Sequence, residues 1–454
     1  MTDNREKVAA DFRNEISHAF EPGAKVMSAD RELRYCLELQ RDRLEKRNLR
    51  YKEEMIHRGP FPNGLSRVRS WKDGHYDTSW TVDFITHNRT IQRDGMKTYR
   101  KSVPQSIYET VVGVRDGEDV SGDRYSCPNC GSVSTIAELQ EGCAHCGTHF
   151  EMSELYPKVK NYYFVFDMSG KAEKMFKTVV EYGLYLLPVN ILMCLSVIAK
   201  TYGGLGALAS PRVLFTALVT TVIMIPIIGY FGWFLDCFRR AFTVMPSLFE
   251  VIGSRTRFES HMSVISPEFT LEYFAAKMMS LFKIFVFSDK RAELPFYRGS
   301  GNGEEFDNIV DVASKGYIAC KSVRATGNMV NVTADLYFEN SRDLGNKIKT
   351  RDEVYRIKAG RRTDIPYENN FSITNIQCSS CGGSFDAFKS RTCPYCGTEY
   401  DQEKNDWVIY EMKNVGTLIR LRRLITGLLI VAVLVSSCLV TLNEAGVLDR
   451  ISFF

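Results

Sequence analysis

Eight of the thirteen cysteines stand in four CxxC pairs, Cys127/Cys130, Cys143/Cys146, Cys378/Cys381 and Cys393/Cys396. They group as C-x2-C-x12-C-x2-C and C-x2-C-x11-C-x2-C, in modules spanning 127–147 and 378–397. Each CxxC turn offers two thiolates from one tight knuckle, and a tetrahedral zinc takes four sulfurs at about 2.3 Å. The spacing therefore predicts two structural Zn2+ sites. Gly131, Gly147, Gly382 and Gly397 each follow the second cysteine of a knuckle, where the turn calls for a positive φ that glycine adopts without steric cost. Four thiolates close the coordination shell and leave no position for a catalytic water, so this chemistry serves folding rather than turnover. His145 and His149 lie near the first set, but its cysteines already suffice.

Two other uses of such cysteines are disfavoured. A redox CxxC needs a thioredoxin-like βαβ setting, which does not surround any of the four pairs. A nucleic-acid ribbon needs a basic or aromatic face, whereas the loops "SVSTIAELQEG" and "GSFDAFKSRT" are mixed or mildly acidic. Net charge is only +4, too mild for a general polyanion-binding surface. The other five cysteines (36, 194, 237, 320 and 438) are scattered, and an odd total with thiolates reserved for metal points to a reducing compartment.

The elements that must hold these knuckles can be read on either side of them. Residues 5–20 and 29–57 read as helices, the longer one capped by Ser28 and carrying Leu33, Cys36, Leu37, Leu44, Leu49 and Met55 among alternating Arg and Glu. That charge pattern reads as a solvated face. "SWTVDFITHN" and "SIYETVVGVRD" precede the first ribbon as strands, and "KNYYFVFDM" follows it. In the second half a helix is predicted over 266–288, with Ser266 as N-cap and Pro267 at its first position. "IACKSVRA", "MVNVTADLYFEN" and "DEVYRIKAG" then read as strands, with a hairpin turn at "TGN" (326–328). After the second ribbon comes "DWVIYEM". Strands, a ribbon, an aromatic strand and a membrane span thus recur as a loose internal repeat.

Three apolar runs, 182–199, 213–235 and 424–442, are long enough to cross a bilayer as helices. Lys171, Lys174 and Lys177 precede the first, Arg239 and Arg240 follow the second, and Arg420, Arg422 and Arg423 precede the third. The positive-inside rule then places 1–180 and 240–420 in the cytosol and the C-terminus outside, and predicts a multi-pass protein of the bacterial inner membrane. The first residues, "MTDNREKVAADFRNE", lack the apolar core of a signal peptide. The expected domains are an N-terminal helical region (1–60), a strand-rich ribbon domain (61–170), the spans, and an α+β domain (245–415).

At 245–415 the helix, three strands, ribbon ("CSSCGG", 378–383; "CPYCGTEY", 393–400) and "DWVIYEM" (406–412) resemble bacterial Tim-44-like domains, relatives of the membrane tether of the mitochondrial import motor. The resemblance covers a little over a third of the chain. It implies an α+β cone like that of nuclear transport factor two, with helices on a curved antiparallel sheet. It also implies that the ribbon is an excursion between the third and fourth strands, its zinc holding Trp407 in register. The commonest pattern carries an N-terminal signal and a glycine-rich linker; here a ribbon domain and a two-span hairpin stand in their place.

These readings converge on a non-enzymatic, membrane-anchored scaffold that presents zinc-stabilised cytosolic modules to a protein partner or to lipid headgroups, with homo-oligomers also open. "KIKTRDEVYRIKAGRR" (347–362) is the basic stretch that headgroups would meet. One alternative is a ligand-binding or enzymatic cone. However, none of the histidines (18, 57, 75, 87, 145, 149 and 261) sits in a catalytic context, no phosphate-binding glycine loop occurs, and the acids Glu268 and Asp307 read equally as caps. A subunit of a transport assembly is a further alternative, with Asn190 the one strongly polar residue inside a span.

Overall fold

The computed structural model describes residues 2–58, 70–73, 75–94, 96–165, 175–188, 190, 191, 194, 201, 202, 206, 209–265, 269–301, 303–364, 375–386, 390–401, 403, 406–416, 421 and 425. The chain divides into two compact units, Met1–Asp167 with Glu250–Arg420, and Met168–Phe249 with Leu421–Phe454. The first is mixed α+β, built on antiparallel sheets.

It opens with α1 (Thr2–Ile16) and α2 (Arg31–Lys46). The N-cap of α2 is Asp30 rather than Ser28: its carboxylate accepts from Glu32 N at 3.4 Å. The expected helix to residue 57 stops eleven residues early. Asn48 takes φ +52°, and β1 (Leu49–His57) follows, burying Leu49, Tyr51, Glu53 and Met55. That alternation has period two, and the interleaved Arg and Glu hid it. Next come β2 (Ser70–Asp73), β3 (Tyr76–Arg93) and β4 (Met96–Val114). The first ribbon contains β5 (Arg124–Ser126), β6 (Val133–Thr135), α3 (Ile136–Glu141) and then α4 (Met152–Leu155), and β7 (Lys158–Val165) closes the sheet. The strand order is β1-β3-β4-β7, with β2 paired to β3.

The second half has the same connectivity. Its helix runs Leu271–Phe287 (α7) with Thr270 as N-cap, four residues later than predicted; Ser266, Pro267 and Glu268 lie outside the described residues. Strands β8 (Ile309–Thr326), β9 (Met329–Asp343) and β10 (Ile348–Arg362) form a meander. The expected turn joins the first two, with Thr326 opposite Met329 and Gly327 at φ +57°. The second ribbon carries β11 (Asn375–Gln377) and β12 (Ser384–Asp386), and β13 (Val408–Asn414) returns to the edge of β10, giving the order β8-β9-β10-β13. Apart from the short β2 on β3, which the second half lacks among the described residues, each half runs from a helix through three antiparallel strands and a ribbon to a strand that pairs with the one left before the ribbon.

The halves pack through α2 on α7 and β7 beside β8. Apolar groups contribute: Gly316, at φ +67°, lies so close to the Tyr163 ring that a Cβ there would sit 2.1 Å from it. Much of the seam is ionic. Arg89, 3 % exposed, bonds Asp311 Oδ2 at 2.6 Å and also pairs with Glu339, which Lys101 reaches at 2.5 Å. Tyr51 Oη and Gln40 Nε2 donate to Asp311 Oδ1 at 3.1 and 3.4 Å. Nearby, buried Lys277 of α7 pairs with Asp406 at 2.9 Å and Glu32 at 3.9 Å. A buried charge is tolerable only when paired this way.

In the second unit, α5 (Met175–Tyr185) is followed, after a turn at Leu186, by further helical residues among those described up to 194, and α6 begins at Pro211 and runs to Ile265, its residues from Glu250 on belonging to the first unit. Within α6, Pro211–Phe234 is long and apolar enough to cross a membrane, by length and composition. The three expected spans therefore reduce, among the described residues, to this one. The run 182–199 is described only in part, and 424–442 lies outside the described residues apart from Ile425. The two helices touch closely: a Cβ on Gly183 would meet Ile225 O at 2.4 Å, and fully buried Asn190 donates to Thr221 O at 2.9 Å. Glycine at such a contact lets backbones approach, and the amide satisfies itself across the helix pair.

Candidate metal centres

The four knuckles are built identically. In each, the first cysteine's N–H bonds the carbonyl five residues on: Cys127 to Ser132, Cys143 to Thr148, Cys378 to Gly383 and Cys393 to Thr398, at 2.7–2.9 Å. Its carbonyl in turn accepts from the glycine four residues on, again at 2.7–2.9 Å. Those glycines take φ between +71° and +78°, as the sequence predicts, because a β-carbon in the left-handed region is strained.

Cys127, Cys130, Cys143 and Cys146 bring their sulfurs within 4.8 Å of one another, as do Cys378, Cys381, Cys393 and Cys396. The Cys127–Cys146 and Cys130–Cys143 sulfurs are 3.7 Å apart; Cys378–Cys396 and Cys381–Cys393 are 3.5 and 3.6 Å apart. A tetrahedron of radius about 2.3 Å has edges of about 3.8 Å, so each set fits a tetrahedral thiophilic ion. The spacing is too long for a disulfide, whose sulfurs lie about 2.05 Å apart. In each site two cysteines are buried and two exposed.

Threonine occupies the same place in both sites. Thr148 Oγ1 lies 3.3 Å from Cys146 Sγ, and Thr398 Oγ1 lies 3.1 Å from Cys396 Sγ. The hydroxyl, helped by the backbone N–H of the same threonine, lowers each of these thiols to about 6. In the same sets burial raises Cys127 to about 12, and Cys381, although the Gly383 N–H works against it, is raised to about 12 beside Cys396, so each set joins a readily ionised thiol to a reluctant one. His145 is exposed and His149 packs its ring against Gly142; neither joins the sulfur cluster.

Each ribbon is wired into its sheet. Around the first, Tyr76, Val112, Ile136, Leu139, Phe150 and Leu155 form a small core, and Tyr125 Oη donates to Leu155 O at 3.1 Å. Thr135 and Glu138 close a capping box on α3. Around the second, Arg391 holds the carbonyls of Leu294 and Tyr297. Trp407, fully buried, meets Phe274 edge-on at 4.8 Å, and Ile409 N bonds Phe296 O at 2.7 Å. The ribbon is thus an excursion between two paired strands of its sheet: β4 and β7 in the first half, β10 and β13, the third and fourth strands, in the second.

The remaining candidates are structural. His87 is buried with Nε2 2.7 Å from Glu53 Oε1 and stacks on Phe164. Asp307 accepts from Arg291 at 2.7 Å. Within the basic stretch 347–362, Arg356 pairs with Asp335, Lys358 with Glu411 and Arg362 with Asp364. One grouping escaped the sequence reading: Arg31, Arg34 and Arg41 share one face of α2 with Glu38, and Arg31 Nη1 donates to Gly131 O at 3.1 Å, against the first knuckle. Its signal was the i, i+3, i+7, i+10 spacing, masked by the surrounding charge alternation.

No family model, curated protein or solved structure matches the chain.

Proposed function

We propose that the chain is a non-enzymatic, membrane-anchored scaffold. Its two ribbons hold Zn2+, and its two α+β modules, of which the second (245–415) is a cone of the nuclear-transport-factor-two type akin to Tim-44-like domains, are presented in the cytosol to a protein partner or to lipid headgroups. The observation that carries this reading is the pair of closed four-cysteine sets, each inserted where a strand must return to its sheet. Such a site supplies folding free energy and leaves no coordination position for substrate. Zinc is among the ions that a closed tetrahedral set of four thiolates favours.

Anchoring rests on Pro211–Phe234 and on the close packing of α5 against it, which supports a two-helix hairpin. The third span and the inner-membrane, C-terminus-out orientation rest on the distribution of Lys and Arg. The interior of the second module argues for a surface role over an enzymatic pocket: Phe282, Phe285, Phe306, Phe338, Tyr355 and Trp407 fill it, all below 2 % exposure.

Photo-cross-linking from position 395, where Tyr395 is 71 % exposed on the second ribbon, tests the scaffold reading in intact membranes. A reproducible protein or phospholipid adduct, with about two zincs per chain in the purified protein, is the expected result. A catalysed conversion that survives loss of all cross-links would overturn it.

A further inference from the structure

In each metal centre the exposed cysteines of one knuckle face the buried cysteines of the other. Cys396 Sγ lies 3.5 Å from Cys378 Sγ and Cys381 Sγ lies 3.6 Å from Cys393 Sγ, just as Cys146 and Cys130 face Cys127 and Cys143 at 3.7 Å. We propose that the second ribbon is a site of reversible thiol oxidation by hydroperoxides: Cys396 and Cys381 take the oxidant, Cys378 and Cys393 close disulfides between the knuckles, and the first ribbon stays intact. The proposal rests on the zinc-loaded ribbons of the proposed function and adds a means by which one of them opens.

The step needs the thiolates, protons from water and hydrogen peroxide, which an accessible thiolate reduces. The Cys396 thiolate attacks the peroxide: an S–O bond forms, the O–O bond breaks, and the departing hydroxide takes a proton to become water. The Cys378 thiolate then attacks the resulting sulfenic acid: the S–S bond forms, the S–O bond breaks, and a second hydroxide leaves and is protonated to water. Two thiolates are oxidised and one peroxide reduced, with two protons consumed and two waters released. One such disulfide withdraws two of the four ligands that a closed tetrahedral site requires, so the ribbon gives up its ion. A small dithiol reverses the step by thiol–disulfide exchange.

Both centres hold the same ligands in the same alternation of burial, so a bound ion shields them alike, and the difference lies in what surrounds them. Tyr125, Ile136, Leu139, Phe150 and Leu155 pack with Cys127 and Cys143 in one core, and Arg31 of α2 holds the first knuckle through Gly131 O at 3.1 Å. In the second ribbon Cys378 and Cys393 share their core, among the described residues, with Phe385 and half-buried Tyr400. Disulfide sulfurs lie about 2.05 Å apart, so each facing pair must close by roughly 1.5 Å. A close-packed interior resists such a shift, and it is the first ribbon that is set in one. Opening the second ribbon also reaches its sheet. Arg391 holds the carbonyls of Leu294 and Tyr297, and the segment 296–298 brackets β13, with Ile409 N bonded to Phe296 O at 2.7 Å and Arg298 N to Ile409 O at 2.9 Å. Oxidation therefore loosens this edge of the second sheet and leaves β7 in place.

The test treats the zinc-loaded full chain in detergent with hydrogen peroxide and follows released zinc, disulfide-linked peptides by mass spectrometry, and amide exchange. The expected result is loss of about one of two zincs per chain, with Cys378–Cys396 or Cys381–Cys393 linkages and faster exchange in β13 and 294–298 but not in β7. Dithiothreitol with added Zn2+ should restore the lost ion. Leu139→Ala, which thins the cover of the first ribbon, should make the first ribbon lose its zinc as well. Equal loss from both ribbons of the unaltered chain, linkages within a single knuckle, or two zincs that both survive peroxide would overturn the proposal and leave the ribbons standing. Fewer than about one zinc per chain before oxidation would overturn the ribbon reading itself, and the proposal with it.

Discussion

Replacing Arg89 by methionine strips the central cation from the seam between the two halves. Arg89 serves two carboxylates, Asp311 and Glu339, in surroundings that leave it 3 % exposed. Removing one partner of a buried pair costs about 3–5 kcal/mol, chiefly because the other charge stays buried. Here both orphans keep some donors: Asp311 retains Tyr51, Gln40 and Ser341, and Glu339 retains Lys101. The loss should therefore fall at the low end, about 3 kcal/mol, or roughly a hundredfold in the folding equilibrium. Urea unfolding of the full chain in detergent, followed by near-ultraviolet circular dichroism, should show the midpoint fall, with faster amide exchange in β3 and β9. Pairing Arg89→Met with Asp311→Asn in a double-mutant cycle should recover part of the loss, since the second change removes the orphaned charge. A loss below about 1 kcal/mol, or strict additivity in the cycle, would refute the view that this ion cluster joins the halves.

Gly316→Ala should destabilise by about 1–3 kcal/mol, because φ is +67° and the new β-carbon meets Tyr163, and a thermal melt reads it. Trp407→Ala should cost about 3–5 kcal/mol in urea, since the indole is fully buried against Phe274. Chelation of metal should release about two zincs per chain and raise proteolytic cleavage within both ribbons, with the order of β7 and β13 loosened in hydrogen exchange. Two carboxylates set opposite pH limits. Burial, opposed by Arg13, raises Glu109 to about 7, so its contribution is fully present below pH 4.5 and is lost as pH rises through 7; Glu109→Gln should flatten that slope. Glu339, although burial works against it, is lowered to about 2 by Arg89 and Lys101, so its contribution holds above pH 4.5 and is lost as pH falls toward 2, a loss Glu339→Gln should abolish.

The two four-cysteine clusters were legible from spacing because the knuckle is a local object. Its hydrogen bonds join residues four or five apart, and its glycines answer a local φ. The same holds for β9, β10 and the 326–328 turn, whose alternation and turn residues stand in the chain itself. Boundaries were harder. Asp30 displaced Ser28 as cap, and the stretch after residue 47 turned into β1, since which of two periodicities wins depends on the partner strand, and β3 supplies it.

What the sequence determined by itself is therefore the chemistry of short range: eight thiols in two closed sets, an apolar run long enough to cross a membrane, and strands on either side of each ribbon. The tertiary structure decided what depends on distant encounters. It brought Arg89 beside Asp311 and Glu339, more than two hundred residues away, gave both halves one connectivity, and gathered Lys25, Arg31, Arg34 and Arg41 around a cavity next to a knuckle some hundred residues on. No local pattern encodes such pairings, because the charge of a side chain is written in the sequence while its partner is chosen only when the sheets close.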